Sequence, residues 1–456
     1  MESSRPITEL LACPRCGESL AAGSGDRCDD CALEFPELGG VRCLFADPET
    51  TLGEWRSRLH FVIRKLEREA AQLDADMTST ELMALTRKRL GHLKAANEDH
   101  ARRLQALLTP LNLERLEADY ETYLALRTRL PSDQGLTTYY NNIHRDWAWG
   151  DEENTASVEL VLRALGDGGL GAKTLVLGAG AGRLAYDLHQ ATDTALTVAV
   201  DFNPLLALLA HRVMSGDSVE LYEFPIAPRT LEDHAVLRTL HAPEPVREGM
   251  HFILADVLRA PFRDASFDTV ITPWLVDILP EDFSVLCRRV NRLLAPGGRW
   301  IIFGSLAFNH ANPALCYSLE ECADAIRGAG FAEPAFHEAT IPYMCSPASR
   351  HARRESVVTW AARKEQEVES PSPYQALPDW LLKGDEPVPL LNSFQAQAVS
   401  TRTYAFIMSL IDGRRSATDI ADVMSQQGLM TKEEAVPTIR TFLIKMYEDS
   451  QRQSGY

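Results

Sequence analysis

An α/β fold built on a mostly parallel sheet is what this chain predicts, and three observations carry the prediction. Apolar runs at 174–177, 196–200, 251–254, 269–272 and 300–303 alternate with helix-like segments, the pattern of strand–helix–strand crossovers. The first run ends in Gly178-Ala179-Gly180-Ala181-Gly182-Arg183-Leu184, a glycine turn that opens a helix. The second run ends in Asp201, which puts a carboxylate at the carboxyl edge of the neighbouring strand, where open sheets of this kind bind nucleotide-like ligands.

The remaining elements follow in chain order. At 456 residues the chain exceeds one core, and 45% hydrophobic with 24% charged residues is an ordinary globular balance. A net charge of −18 argues against a nucleic-acid binder held by a general positive field. The first residues lack a basic start and apolar core, and no apolar run approaches the roughly 20 residues that span a bilayer, so a cytoplasmic location without membrane contact is expected. Four of the nine cysteines stand in two knuckles, Cys13-Pro14-Arg15-Cys16 and Cys28-Asp29-Asp30-Cys31. Two such pairs predict a zinc ribbon over residues 1–48, in which sulfur fills all four positions and the metal is structural. Residues 49–130 read as a helical region: Trp55, Leu59, Val62, Ile63 and Leu66 recur on one helix face, and Thr78 and Ser79 before Glu81 predict a helix start. Residues 131–365 hold the sheet, closed by an antiparallel edge pair at 335–341 and 356–361. Residues 366–396, rich in proline, read as a linker. Residues 397–456 return to helical periodicity.

The chemistry concentrates at the glycine turn. Side chains at Gly178, Gly180 and Gly182 would block the approach of a ligand to backbone N–H groups. The spacing GxGxG differs from the GxGxxG of dinucleotide sites. Asp201 can accept hydrogen bonds from both hydroxyls of a ribose. Asp256 ends the next strand in the same position. Asp268 shapes the strand that follows, and Pro296-Gly297-Gly298 supplies a turn.

These segments, with Phe267-Asp268 and Leu294-Ala295-Pro296-Gly297-Gly298, resemble the class I S-adenosylmethionine (SAM) dependent methyltransferases, a Rossmann-like fold. Adding Asn142-Ile143-His144-Arg145-Asp146-Trp147, Asp201-Phe202-Asn203 and Val276-Asp277-Ile278 narrows the resemblance to the carnosine N-methyltransferase family over about residues 138–364. The resemblance implies that SAM is held by Asn142, Arg145, Gly178, Ala179, Gly180, Gly182, Arg183, Asp201, Phe202, Asn203, Asp256 and Val257. It further implies an arginine-aspartate-tryptophan helix closing over SAM, and substrate contacts from Asn309 or His310 and from Tyr343. The chain departs from the family in having Asn142 for a glutamine, Asp201 for a glutamate, and Ala352 to Arg354 where family tyrosines fall. The first 45 residues resemble zinc ribbons that accompany some methyltransferases, and residues 397–456 resemble PqqD-like winged-helix modules, which hold peptides.

The expected reaction is methyl transfer to an imidazole nitrogen of a small histidine-containing molecule or peptide, with Asp277 fixing the ring's other nitrogen as the catalytic residue. Alternatives are a methyltransferase for another nucleophile, with a peptide or protein partner at the last module, and an inactive scaffold. The intact glycine and acid set opposes the scaffold reading. The GxGxG spacing opposes an NAD oxidoreductase, and the acidic charge opposes RNA modification.

Overall fold

Nine strands form one mixed sheet on which every candidate site residue of the glycine turn and its neighbouring acids is displayed. The computed structural model describes residues 5–20, 25–113, 136–310, 312–374, 380 and 386–453. The chain divides into two units, Met1–Tyr374 and Gln375–Tyr456. Residues 114–130 of the expected helical region and most of 375–385 of the expected linker lie outside the described residues.

In the first unit the strands are β1 (Arg27–Cys28), β2 (Leu33–Glu34), β3 (Glu37–Leu38), β4 (Val41–Cys43), β5 (Lys173–Leu177), β6 (Leu196–Asp201), β7 (Val219–Glu223), β8 (Val236–Leu240), β9 (Met250–Leu254), β10 (Phe267–Pro273), β11 (Leu294–Gly304), β12 (Ala335–Tyr343) and β13 (Arg353–Arg363). The large sheet runs β12-β13-β11-β10-β5-β6-β9-β4-β3. Its centre is parallel: β5 pairs with both β6 and β10, β6 with β9, and β10 with β11. The edge pair β12–β13 is antiparallel, as its sequence predicts. β6 is buried along its whole length, because helices cover both faces and a parallel strand needs apolar residues on each. Alternation then sorts the strands into two cores. Val176, Ala199, Leu254 and Ile271 face one, while Leu175, Leu177, Val198, Val200 and Ile253 face the other.

The helices are α1 (Pro48–Asp76), α2 (Ala84–Leu107), α3 (Leu136–His144), α4 (Asp151–Leu165), α5 (Arg183–Ala191), α6 (Pro204–Met214), α7 (Phe283–Leu293) and α8 (Leu319–Gly328). The α1 helix starts cleanly because Asp47 accepts the Thr50 N–H and Pro48 occupies the first turn. The expected start at Thr78 and Ser79 lies in the turn between α1 and α2: the Thr78 hydroxyl donates to the Ala75 carbonyl and closes α1, and α2 begins at Ala84. Leu52, Trp55, Leu59 and Ile63 of α1 and Leu104 and Leu107 of α2 enter the first core. Leu10, Leu11, Cys13, Cys28, Phe35 and Leu44 of the cysteine-rich segment enter the second. That segment is tied to the sheet by backbone bonds from Ala12 N to Pro261 O (2.9 Å) and from Leu44 N to Leu254 O (2.8 Å). β4 also extends the sheet by parallel pairing with β9, Arg42 opposite Ile253 and Cys43 opposite Leu254.

The second unit contains α9 (Asn392–Ser409), α10 (Ala417–Gln426) and α11 (Lys432–Gln453) around Ile407, Leu410, Ile420, Met424 and Ile439. Ser416 and Asp419 form a reciprocal capping box at the start of α10. Among its described residues there is no strand, so the wing of a winged helix is not among them. No described helix is long and apolar enough to cross a membrane.

Candidate functional site

The glycine turn between β5 and α5 is held in a conformation that side chains resist. Gly178, Gly180 and Gly182 all have positive φ, at 72°, 59° and 87°. Gly178 N and Ala179 N both donate to the Val200 carbonyl at 2.9 Å, which fastens the turn to the end of β6. A Cβ on Gly178 would lie 2.8 Å from Leu275 Cδ1, whereas one on Gly180 would meet nothing within 4 Å. The turn therefore presses on its own scaffold at Gly178 and opens outward at Gly180.

Asp201 closes this turn from below. Its Oδ2 accepts the Gly180 N–H at 2.8 Å and its Oδ1 accepts the Asn203 N–H at 2.9 Å. The residue is only 7% exposed, and burial pushes its carboxyl up to about 6 against the opposing effect of those N–H donors. Asn203 in turn caps α6 by accepting the Leu205 N–H at 3.0 Å. On the adjacent strand Asp256 caps the short helical turn Val257–Arg259 by accepting the Leu258 N–H at 2.9 Å, and burial raises its carboxyl above the usual range. β6 and β9 are in parallel register with Asp201 opposite Leu254, so Phe202 and the Asp256-Val257 pair leave neighbouring strand ends at one crevice.

The segment ahead of the sheet folds over the turn. Arg145–Trp149 forms a π-helical turn after α3, and Gly150 permits the tight reversal into α4 because a Cβ there would strike the Arg145 carbonyl. Arg145 is a largely buried cation between two acids, with Nη2 2.7 Å from Asp146 and Nη1 3.1 Å from Glu153. Glu153 is further held by the Met344 N–H at 2.7 Å, and burial raises its carboxyl despite the Arg145 charge. Trp147 donates from Nε1 to the Ala181 carbonyl at 2.9 Å, which pins the π turn directly to the glycine turn. Arg183 grips Asp187 through Nε and donates from Nη1 to the Asp146 carbonyl at 2.7 Å, with its guanidinium 5.5 Å above the Trp147 ring. Asn142 is half-buried and makes no side-chain hydrogen bond among the described residues.

Asp277 follows β10, the strand on the other side of β5 from β6. Its Oδ2 accepts the Ala307 N–H at 2.8 Å and the Ser305 hydroxyl at 3.5 Å, and it has no cationic partner among the described residues. Tyr343, at the end of β12, packs against Trp274 with ring centroids 4.9 Å apart, and the Arg353 guanidinium lies 4.5 Å from the Tyr343 ring centroid. Sequence reasoning passed over Tyr139 on α3. Burial, and after it the charges of Asp201, Tyr343 and Asp277, raise its phenol above the usual value, so each of these three groups lies within electrostatic reach of Tyr139. The signal was present as the pair Tyr139-Tyr140, whose second member is used internally: its hydroxyl donates to the Tyr222 carbonyl at 2.7 Å. Glu153 was missed too, because eight residues and a glycine break separate it from the Arg145 it pairs with.

Asn309 and His310 lie in an exposed loop after β11. His310 Nδ1 accepts the Asn312 N–H at 2.9 Å, and among the described residues no hydrogen bond or ring contact joins either residue to Asp277 or Tyr343.

The four sulfurs of Cys13, Cys16, Cys28 and Cys31 all lie within 4.8 Å of one another, with Cys16 and Cys28 3.6 Å apart and Cys13 and Cys31 4.0 Å apart. Sulfurs at about 2.3 Å from a tetrahedral zinc are about 3.8 Å apart, so the donor set could hold such an ion.

Residues 175–302 match the methyltransferase domain family, a segment that contains the glycine turn, Asp201, Asp256 and Asp277. No curated protein matches the chain. Among solved structures the chain is similar to the YcgJ protein of Bacillus subtilis, at 14% identity and a TM-score of 0.33, over 46% of this chain and 99% of that one. It is similar to a Burkholderia thailandensis 1,6-didemethyltoxoflavin-N1-methyltransferase solved with its substrate and S-adenosylhomocysteine, at 20% identity and a TM-score of 0.32, over 55% and 92% of the two chains. A Haemonchus contortus phosphoethanolamine N-methyltransferase, also solved with S-adenosylhomocysteine, is 15% identical at a TM-score of 0.33, over 50% and 57%.

Proposed function

We propose that this SAM-dependent methyltransferase delivers its methyl group to an imidazole nitrogen of a small histidine-containing molecule or peptide. The observation that supports the acceptor is the Asp277 carboxylate, unpaired by any cation among the described residues and within electrostatic reach of the same tyrosine as Asp201. The cradle suits SAM: Gly180 opens onto free space, and two acids stand at adjacent strand ends, Asp201 for the ribose hydroxyls and Asp256 for the adenine amine. Gly178, Ala179, Gly182, Phe202, Asn203 and Val257 complete that wall, joined by Asn142 and Arg145 from the segment that folds over the turn and by Arg183 at the start of α5. When bound, SAM supplies a methyl group already activated by its sulfonium. The protein's task is then alignment, bringing an acceptor lone pair behind that methyl.

A neutral imidazole, with an ordinary pKa of about 6.5, is a sufficient nucleophile near neutral pH. Asp277 accepts the N–H of the ring's other nitrogen, which selects the tautomer and stabilises the cation that develops. Tyr139, Trp274 and Tyr343 offer the ring an aromatic border. Asn309 and His310 reach the acceptor only if their loop folds inward. The cysteine knuckles hold a structural zinc, and a peptide partner at the second unit would deliver a longer acceptor.

The test is calorimetric SAM binding followed by methyl transfer to histidine dipeptides. Asp277→Asn should cut turnover by about 100-fold or more while SAM affinity stays within about twofold. Full turnover by that variant would exclude the role given to Asp277.

A further inference from the structure

Phe202 is 43% exposed, an unusual state for a phenylalanine that immediately follows the buried acid Asp201. Its ring packs on Trp55 with centroids 5.6 Å apart at an angle of 51°. Trp55 belongs to α1, far away in sequence, and is itself only 3% exposed. The Arg58 guanidinium also lies over the Trp55 ring, 5.3 Å from its centroid. Helix α1 is fixed by Asp47 at its start and by the bond from Arg56 Nε to the Leu111 carbonyl at 2.8 Å. An apolar ring that is half open to solvent, backed by a buried indole and set at the crevice between β6 and β9, is a prebuilt stacking surface for a flat base.

We infer that Trp55 is a positioning residue for the adenine of SAM, acting through Phe202, so that α1 is the outer wall of the cofactor pocket rather than a cover for the sheet alone. The inference rests on the reading of the glycine turn and Asp201 as the SAM site. Physically, the wall restricts Phe202 to the orientation in which its exposed face meets the base, and the ordering is done before the ligand arrives. Trp55 was legible in the sequence only as one of five apolar positions on a helix face, which by itself indicates core.

The probe is S-adenosylhomocysteine, with its affinity measured by calorimetry on the full chain. Phe202→Ala should weaken it about tenfold, the loss expected for removing one base–aromatic stack. Trp55→Leu should weaken it by a similar factor, Trp55→Phe should restore it to within about twofold of the unaltered protein, and Trp55→Leu combined with Phe202→Ala should bind no more weakly than Phe202→Ala alone. Additive losses, or unaltered affinity in Trp55→Leu, would overturn the inference. Amide hydrogen exchange on the unaltered chain provides a second measurement that does not depend on Trp55→Leu folding. S-adenosylhomocysteine should slow exchange at residues 51–60 as well as at 178–183. Protection at 178–183 without protection at 51–60 overturns the role of Trp55. Absence of protection at 178–183, or undiminished affinity in Asp201→Ala, overturns the SAM site itself.

Discussion

The carboxyl group of Asp201 serves two partners whose interests diverge. Without ligand it is nearly buried, and burial raises it from 3.8 to about 6, so ionisation costs the fold something it does not cost the unfolded chain. For a carboxyl raised in the folded state the contribution to stability is greatest below the unfolded value and is lost as pH rises through the folded one, so the unliganded protein gives up stability between about pH 4 and pH 6 at this residue. A ribose, in contrast, donates hydrogen bonds and needs the ionised form. Affinity for S-adenosylhomocysteine should therefore fall about tenfold from pH 8 to pH 5, and Asp201→Asn should flatten that profile as well as weaken binding; calorimetry across the range checks both. The chemical identity of this residue was readable from its place after an apolar strand. Its hydrogen bond to Gly180 was not, since it depends on the exact closure of a turn 21 residues away.

At the scale of elements the glycine turn separates two effects that sequence alone merges. Ala in place of Gly180 meets open space and suffers only the positive φ, so it should cost about 1 kcal/mol of stability while its methyl obstructs the ligand. Ala in place of Gly178 adds a collision with Leu275 and should cost about 2–3 kcal/mol. Urea melts of the two variants, paired with ligand titrations, check the difference. The central strands were legible because each is a continuous apolar run between turn residues, and the structure lengthens them by one to three positions, except β11, which begins six residues earlier, at Leu294, and so takes in the expected turn Pro296-Gly297-Gly298. The antiparallel hairpin β7–β8 was not read, although Val219 to Glu223 alternates in burial, because a loop of 12 residues with two prolines hides the partner strand. β3 and β4 escaped for a different reason: two or three residues carry no periodicity, and β4 finds its partner on β9.

For the first unit as a whole, the cysteine knuckles and the proposed SAM crevice share one core and one sheet. The knuckle segment shares the second core with Leu258 and Phe262, and β4 pairs along the strand that delivers Asp256. Stripping the zinc proposed for the knuckles with a chelator should lower the melting temperature by at least about 5 °C and weaken S-adenosylhomocysteine binding, and Cys13→Ser should reproduce both. An unchanged affinity in the stripped protein would mean that the knuckles stabilise only themselves. The same β4–β9 ladder has a bearing on how the chain is made. Arg42 leaves the ribosome about 200 residues before Ile253, and at about 5–20 residues per second its strand waits roughly 10–40 s for a partner. During that interval a metal bound at the knuckles, as proposed, would already have closed them, leaving a short folded edge with unpaired backbone groups. Three residues are too few to template another chain, and the brevity of β4 is thus a safeguard during synthesis as well as a seam in the finished sheet.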